Sequence, residues 1–148
     1  MTVFADSSAL VKLYADEPGH EFVRSIGLLL VSQLARVEVP AAIWRKHRIG
    51  ELAAADASLL TSTFEADYFG APGERARLLA VAVTTAVLDD AARLTATHRL
   101  RAYDAVQLAS ARTARQADPA CSGFAAYDTA LRGAAAAEGF RILPAGGR

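Results

Sequence analysis

The 148-residue chain is 53% apolar and carries 16 basic against 16 acidic side chains, for a formal charge of zero. That combination excludes a disordered chain, which needs low hydrophobicity and high net charge, and it lacks the strongly basic balance that by itself argues for nucleic-acid binding. A single cysteine, Cys121, excludes an internal disulfide framework and a zinc site built on clustered cysteines.

The longest apolar run, residues 78–88, is broken by Thr84 and Thr85 and falls well short of the roughly 20 residues a membrane helix needs. Asp6 interrupts the stretch where a secretory signal would be apolar. The expectation is one cytoplasmic domain over residues 1–148 with no membrane contact. Within the charge balance stand 14 Arg against 2 Lys, beside 34 Ala. Alanine favours helix and arginine can bind phosphate bidentately, and a GC-rich genome would produce the same bias.

Val3, Phe4 and Ala5 form a short apolar run stopped by Asp6, after which Ser7 and Ser8 can cap a helix through Leu10, Val11, Leu13 and Tyr14. Pro18 and Gly19 end it. A short amphipathic piece with Phe22, Val23 and Ile26 precedes a strand-length run at residues 28–31, and Ser32 marks the start of a helix that finishes in Arg45, Lys46, His47 and Arg48. Pro40 lies inside that helix and should kink it.

Residues 51–68 suit a second amphipathic helix, giving a helical hairpin, and Gly70, Pro72 and Gly73 break the chain. Residues 74–96 read mostly as helix, with Val81, Val83 and Val87 leaving room for a short strand. Residues 103–116 form another helix. The opening pattern then returns: a strand at 123–127 stopped by Asp128, an alanine-rich helix at 131–138, Gly139, and a final strand at 140–143. Short strands alternating with helices predict an α/β sandwich with a largely parallel sheet, whose ligands gather at the carboxyl ends of the strands.

Two of those strands deliver an aspartate at that edge, Asp6 and Asp128. A charge directly after an apolar run is costly unless a cation or a helix N-terminus compensates it, so Asp6 is either a helix cap or a ligand-binding acid. Glu38 sits on a helix with mostly apolar neighbours, where a solvated surface acid is not expected. Asp104 opens the helix Asp104-Ala105-Val106-Gln107-Leu108-Ala109, a capping position as well as a candidate site.

The stretch from Asp6 to Tyr14, Glu38 within Leu-Ala-Arg-Val-Glu, the run from Leu100 to Ala109 and the run from Ala126 to Leu131 together resemble the PIN-domain nucleases, and within them the VapC toxins of bacterial toxin–antitoxin pairs. The resemblance covers Met1 to about Leu143, with the four acids in order. It implies a PIN-like α/β/α sandwich and a metal-dependent endoribonuclease in which Asp6, Glu38, Asp104 and Asp128 line one acidic pocket. It also implies a cognate VapB-like antitoxin, an RNA substrate, a homodimer, and contact with DNA only through the antitoxin.

Mg²⁺ or Mn²⁺ prefers hard oxygen ligands, and carboxylates from separate elements supply them without His or Cys. Ser8, and Ser7 beside it, match the family's hydroxyl positions after the first aspartate, where they would orient a carboxylate or meet the scissile phosphate; ordinary capping explains them equally well. Two arginines are candidates for RNA. Arg45 lies seven residues beyond Glu38, which at about 100° per residue returns it to nearly the same helix face, and Arg101 lies just before Asp104. Arg99, Arg112, Arg115 and Lys12 are further candidates, each alternatively a solvated or helix-end charge. His47 and His98 have no ligand spacing.

The competing readings are a phosphotransfer hydrolase, which wants an aspartate where Ser8 stands, and a catalytically idle PIN domain serving as a protein- or RNA-binding module. The apolar residues Leu52, Leu59 and Phe64 suggest an exposed face for self-association.

Overall fold

A computed structural model describes residues 1–146; the last two residues of the expected domain, Gly147 and Arg148, lie outside the described residues. The elements in chain order are β1 (Thr2–Ala5), α1 (Ser7–Leu10) continued by a 3₁₀ turn (Val11–Leu13), α2 (His20–Arg24), β2 (Leu29–Ser32), α3 (Ala35–Arg48), α4 (Ala54–Phe69), β3 (Leu78–Val81), α5 (Thr85–His98), α6 (Ala102–Ala117), β4 (Cys121–Ala125), α7 (Thr129–Ala137) and β5 (Arg141–Leu143). All strand pairs are parallel, and the sheet order is β3-β2-β1-β4-β5.

The period of two in β1 assigns its side chains to opposite faces. Val3 and Ala5 join Leu29, Val31, Leu10, Val39, Ile43 and Phe64 in the core beneath α1, α3 and α4. Phe4 turns the other way, into a second core with Phe124, Leu94, Leu108, Leu131 and Phe140 beneath α5, α6 and α7. Phe4 and Phe124 are register partners on adjacent strands and stack with centroids 5.5 Å apart. Burying one such ring contributes about 1.5–3 kcal/mol. Helices on both faces of a parallel sheet make the expected α/β/α sandwich.

The strand order positions the site. From β1 the chain progresses outward to β2 and β3, then returns to β1's other side for β4 and β5. The order therefore reverses between β1 and β4, and in open α/β sheets the crevice for a ligand opens at the carboxyl ends of such a pair. Asp6 directly follows β1; Asp128 lies three residues past β4.

Three expectations need correction. Residues 74–96 are helical only from Thr85 onward, and the short strand for which Val81 left room is β3, Leu78–Val81, paired in parallel with β2. As an edge strand it buries only Leu78 well, leaving Leu79 and Ala80 exposed, so its Leu–Ala composition carries no strand alternation. Helix α5 starts later, where the Thr84 hydroxyl caps it by accepting from the Val87 N–H at 3.2 Å. The strand expected at 123–127 is Cys121–Ala125: the Ala126 N–H still reaches the Leu143 carbonyl at 3.2 Å, but the Tyr127 N–H donates to Ser8 Oγ at 3.3 Å instead of to a strand. Phe64 is fully buried rather than exposed, its ring edge-on to Tyr14 at 5.7 Å between centroids; Leu59 on the same helix is 65% exposed.

Pro40 does not end α3, which runs through it from Ala35 to Arg48. Helices α3 and α4 pack against each other as the expected hairpin. No helix among the described residues is long and apolar enough to cross a membrane.

Candidate active site

Asp6 is 4% exposed. Its backbone N–H donates to Ala125 O at 3.1 Å, extending the β1–β4 ladder by one rung. The side chain caps α1 by accepting from the Ala9 N–H at 2.9 Å, and the Ser8 hydroxyl lies 2.7 and 2.9 Å from its two oxygens. The capping role foreseen for Asp6 is thus real and does not compete with a site role. Burial, aided by the negative charges of Asp104 and Glu38, pushes its pKa up to about 7 against the opposing hydrogen bonds from Ala9 and Ser8. Asp6 therefore senses acids from α3 and α6 while belonging to neither.

Glu38 projects from α3, half-buried. Its Oε1 accepts from Ser7 Oγ at 2.9 Å and from Gln107 Nε2 at 2.7 Å. Asp104 stands in the first turn of α6, whose N-cap residue is Arg101, without a side-chain capping bond, so Asp104 is not the capping residue its position suggested. Burial and the charge of Asp128 raise its pKa although Arg101 opposes them. Asp128 caps α7 through a hydrogen bond from the Leu131 N–H at 2.9 Å.

Arg101 straddles this second pair of acids, with Nε 3.5 Å from Asp104 Oδ2 and a terminal nitrogen 3.9 Å from Asp128 Oδ2, while its side chain is 83% exposed. Glu38, Arg101, Ala102, Tyr103 and Asp104 line an open cavity of about 280 Å³. A larger cavity of about 460 Å³ lies elsewhere, bounded by Tyr14, Lys46, Leu52, Leu59 and Leu60 among others.

The four acids thus form a chain of neighbours rather than one cage. Glu38 and Asp104 share a cavity, Asp6 responds to both, and Asp128 acts on Asp104. Among the described residues no group of three His, Cys, Asp or Glu side chains is close enough to hold a metal ion. The donor set still fits a hydrated Mg²⁺ or Mn²⁺, because such ions take hard carboxylate oxygens, often only one or two, and complete their shell with water. Glu38 and Asp104, which share the open cavity, would be its direct carboxylate ligands, with Asp6 and Asp128 flanking them.

Arg45 is exposed and lines a different cavity, with Glu17, Ala42, Lys46, Ile49 and Glu51; the helical return that aligned it with Glu38 also carries it about 10 Å along the axis. Lys12 is 8% exposed, paired with Glu17 at 3.1 Å and 4.3 Å from the centroid of the Tyr127 ring. Arg112 is committed to Glu138 and Asp90; its Nε lies 2.9 Å from Asp90 Oδ2 but is misaligned for a hydrogen bond. Arg115 lies over the Phe140 ring, and Arg99 ends α5 in the left-handed conformation, φ 55°. His98 hydrogen-bonds Glu138 at 2.7 Å and His47 meets the Leu52 carbonyl.

Sequence reading missed two residues. Gln107 is 2% exposed and touches both Ser7 and Glu38; the signal was its spacing of three from Asp104, which places both on one face of α6. Tyr103, 65% exposed, lies on the cavity wall.

The family model of the PIN domain matches residues 3–136, and the chain belongs to the PIN-domain family. Three solved structures share its fold. The VapC20 toxin of Mycobacterium tuberculosis, a sarcin–ricin-loop-cleaving toxin, is 15% identical over 95% of this chain and 97% of that chain, with a TM-score of 0.63. The protein PAE2754 from Pyrobaculum aerophilum is 19% identical over 97% and 90%, with a TM-score of 0.64. A chain of a toxin–antitoxin complex from Klebsiella pneumoniae is 15% identical over 87% and 88%, with a TM-score of 0.55. No curated protein matches the sequence.

Proposed function

We propose that the protein is the toxin of a toxin–antitoxin pair, a Mg²⁺- or Mn²⁺-dependent endoribonuclease that hydrolyses RNA phosphodiester bonds at Asp6, Glu38, Asp104 and Asp128. The observation that carries this reading is an aspartate buried at the carboxyl end of the central strand, with acids from α3 and α6 opening onto the same edge. Membership of the PIN family and the fold shared with a sarcin–ricin-loop-cleaving toxin support it.

When bound, the divalent ion supplies an activated water and neutralises charge building on the phosphoryl oxygens. The chain's own residues do the rest. Ser8 orients Asp6 by contacting both its oxygens, and Ser7 holds one oxygen of Glu38. Arg101, mobile enough in its exposure to leave Asp104 and Asp128, meets the RNA phosphate at the cavity mouth. Arg45 lies too far along α3 to touch the same phosphate and would contact RNA only beyond it.

The antitoxin partner follows from charge: an acidic crevice attracts an arginine or lysine from a binding segment, and a protein of similar fold occurs in a toxin–antitoxin complex. The protein works in the cytoplasm as a single domain over residues 1–148 and as a homodimer, and meets DNA only through the antitoxin.

The deciding experiment incubates the purified protein with RNA in Mg²⁺ or Mn²⁺, with and without excess chelator. Cleavage that vanishes with chelator and in Asp6→Asn is the expected result. Tight partner binding by a protein that cleaves no RNA and slows no cell would favour the idle binding-module reading instead.

A further inference from the structure

We propose that Gln107 is a positioning residue for Glu38: its carboxamide, together with the Ser7 hydroxyl, fixes one carboxylate oxygen of Glu38 and leaves the other free for a divalent cation. The proposal rests on the metal-dependent reading above and assigns to it a residue outside the four acids.

Gln107 occupies a stretch of α6 in which Ala105, Leu108, Ala109 and Ala111 are all fully buried. A glutamine among them must satisfy a bulky amide that an apolar residue would not bring. Its Nε2 carries two hydrogens and both are used, one toward Ser7 Oγ at 2.9 Å and one toward Glu38 Oε1 at 2.7 Å. Ser7 Oγ closes the triangle by donating to the same Oε1 at 2.9 Å. That oxygen therefore receives two donors.

No hydrogen bond among the described residues reaches Glu38 Oε2, and Glu38 lines the open cavity with Asp104. A second, independent sign is the amide oxygen of Gln107 itself, which is buried with no hydrogen-bond partner. Buried acceptors are rarely left so, and what holds the amide in this orientation is the pair of bonds its nitrogen donates to Ser7 and Glu38. The triangle also joins α1 and α3, on one face of the sheet, to α6 on the other, so it spans the carboxyl edge where the order of the strands reverses. Partners that orient metal-binding carboxylates act this way in general, and their loss weakens metal affinity roughly 10- to 100-fold.

The test measures Mn²⁺ binding to the whole protein by electron paramagnetic resonance, without RNA. In Gln107→Met, which keeps length and removes both donors, the Mn²⁺ Kd should rise roughly 10- to 100-fold and the hyperfine pattern of bound Mn²⁺ should change, while circular dichroism stays that of the parent. Added to Glu38→Gln, the same substitution should cost almost nothing further, since both act through one carboxylate. Should Gln107→Met fail to fold, Ser7→Ala removes the other donor and should weaken Mn²⁺ several-fold. A folded variant that binds Mn²⁺ within twofold of the parent, or full additivity with Glu38→Gln, overturns the proposal alone. A parent protein that binds no Mn²⁺ overturns the metal-dependent reading and this proposal with it.

Discussion

The main-chain N–H of Asp6 donates to the carbonyl of Ala125 at 3.1 Å, so the buried acid after the central strand is suspended from the neighbouring strand that leads to Asp128. The Ser8 hydroxyl adds a side-chain tie, lying 2.7 Å from Asp6 Oδ1 and accepting from the N–H of Tyr127, the residue before Asp128. The Asp128 carboxylate takes no part in these contacts.

From this, Asp128 can be probed for chemistry and for capping separately. Its carboxylate holds the Leu131 N–H, and losing an N-cap to alanine costs about 1 kcal/mol. Asp128→Ala should lower both thermal stability and RNA cleavage, whereas Asp128→Asn keeps the cap, preserves stability and still reduces cleavage. Equal cleavage by Asp128→Asn and the parent would remove Asp128 from the site.

Arg101 and Arg112 should separate cleanly. Arg101→Ala removes an exposed cation at the cavity mouth, so stability should stay within about 0.5 kcal/mol while KM for RNA rises and the salt slope of binding falls by about one unit. Arg112→Ala breaks the tie between Glu138 and Asp90 and should lower the melting temperature with KM unchanged. The reverse pattern would exchange their roles.

Phe64 and Leu59 test the corrected reading of α4. Phe64→Ala opens a cavity in a fully buried position and should cost about 3–5 kcal/mol by denaturant unfolding. Leu59→Ala should leave stability nearly unchanged. If the chain dimerises through this helix, Leu59→Arg should yield monomers in light scattering.

The acid limb of the stability profile should depend on Glu138. The hydrogen bond from His98, against partial burial and joined by the charge of Arg112, holds its carboxyl below the usual glutamate range. A depressed folded-state pKa means stability that is fully present above the unfolded value and is lost as pH falls through the folded one. The parent should therefore lose stability below the ordinary carboxylate range, and Glu138→Gln, less stable at neutral pH, should show a shallower decline there. Parallel curves for the two proteins would contradict this linkage.

The central strand was legible in the sequence because Asp6 stops its apolar run and caps the helix that follows, a signal local in the chain; the same reading with Asp128 set the end of β4 two residues late. Strand β3 was legible only as room for a short strand around Val81, since an edge strand that buries one leucine has no period of two to read. Gln107 was overlooked for a different reason: its spacing of three from Asp104 puts it on the same helix face, but its partners lie 69 and 100 residues away, and spacing does not name them. Lys12 and Arg112 looked like candidates for RNA because a sequence displays charge and hides the partner that neutralises it.

The pairing of β1 with β4 also has a bearing on synthesis. Ser8 and Tyr127, which meet at the carboxyl edge, are 119 residues apart, and the strand beneath Asp6 gains its second neighbour only with residues 121–125. A nascent chain still attached to the ribosome therefore carries Asp6 long before it can assemble the edge on which Asp6 acts. On the proposed reading, the RNA-cleaving edge would be complete only after residues 121–125 have paired with β1.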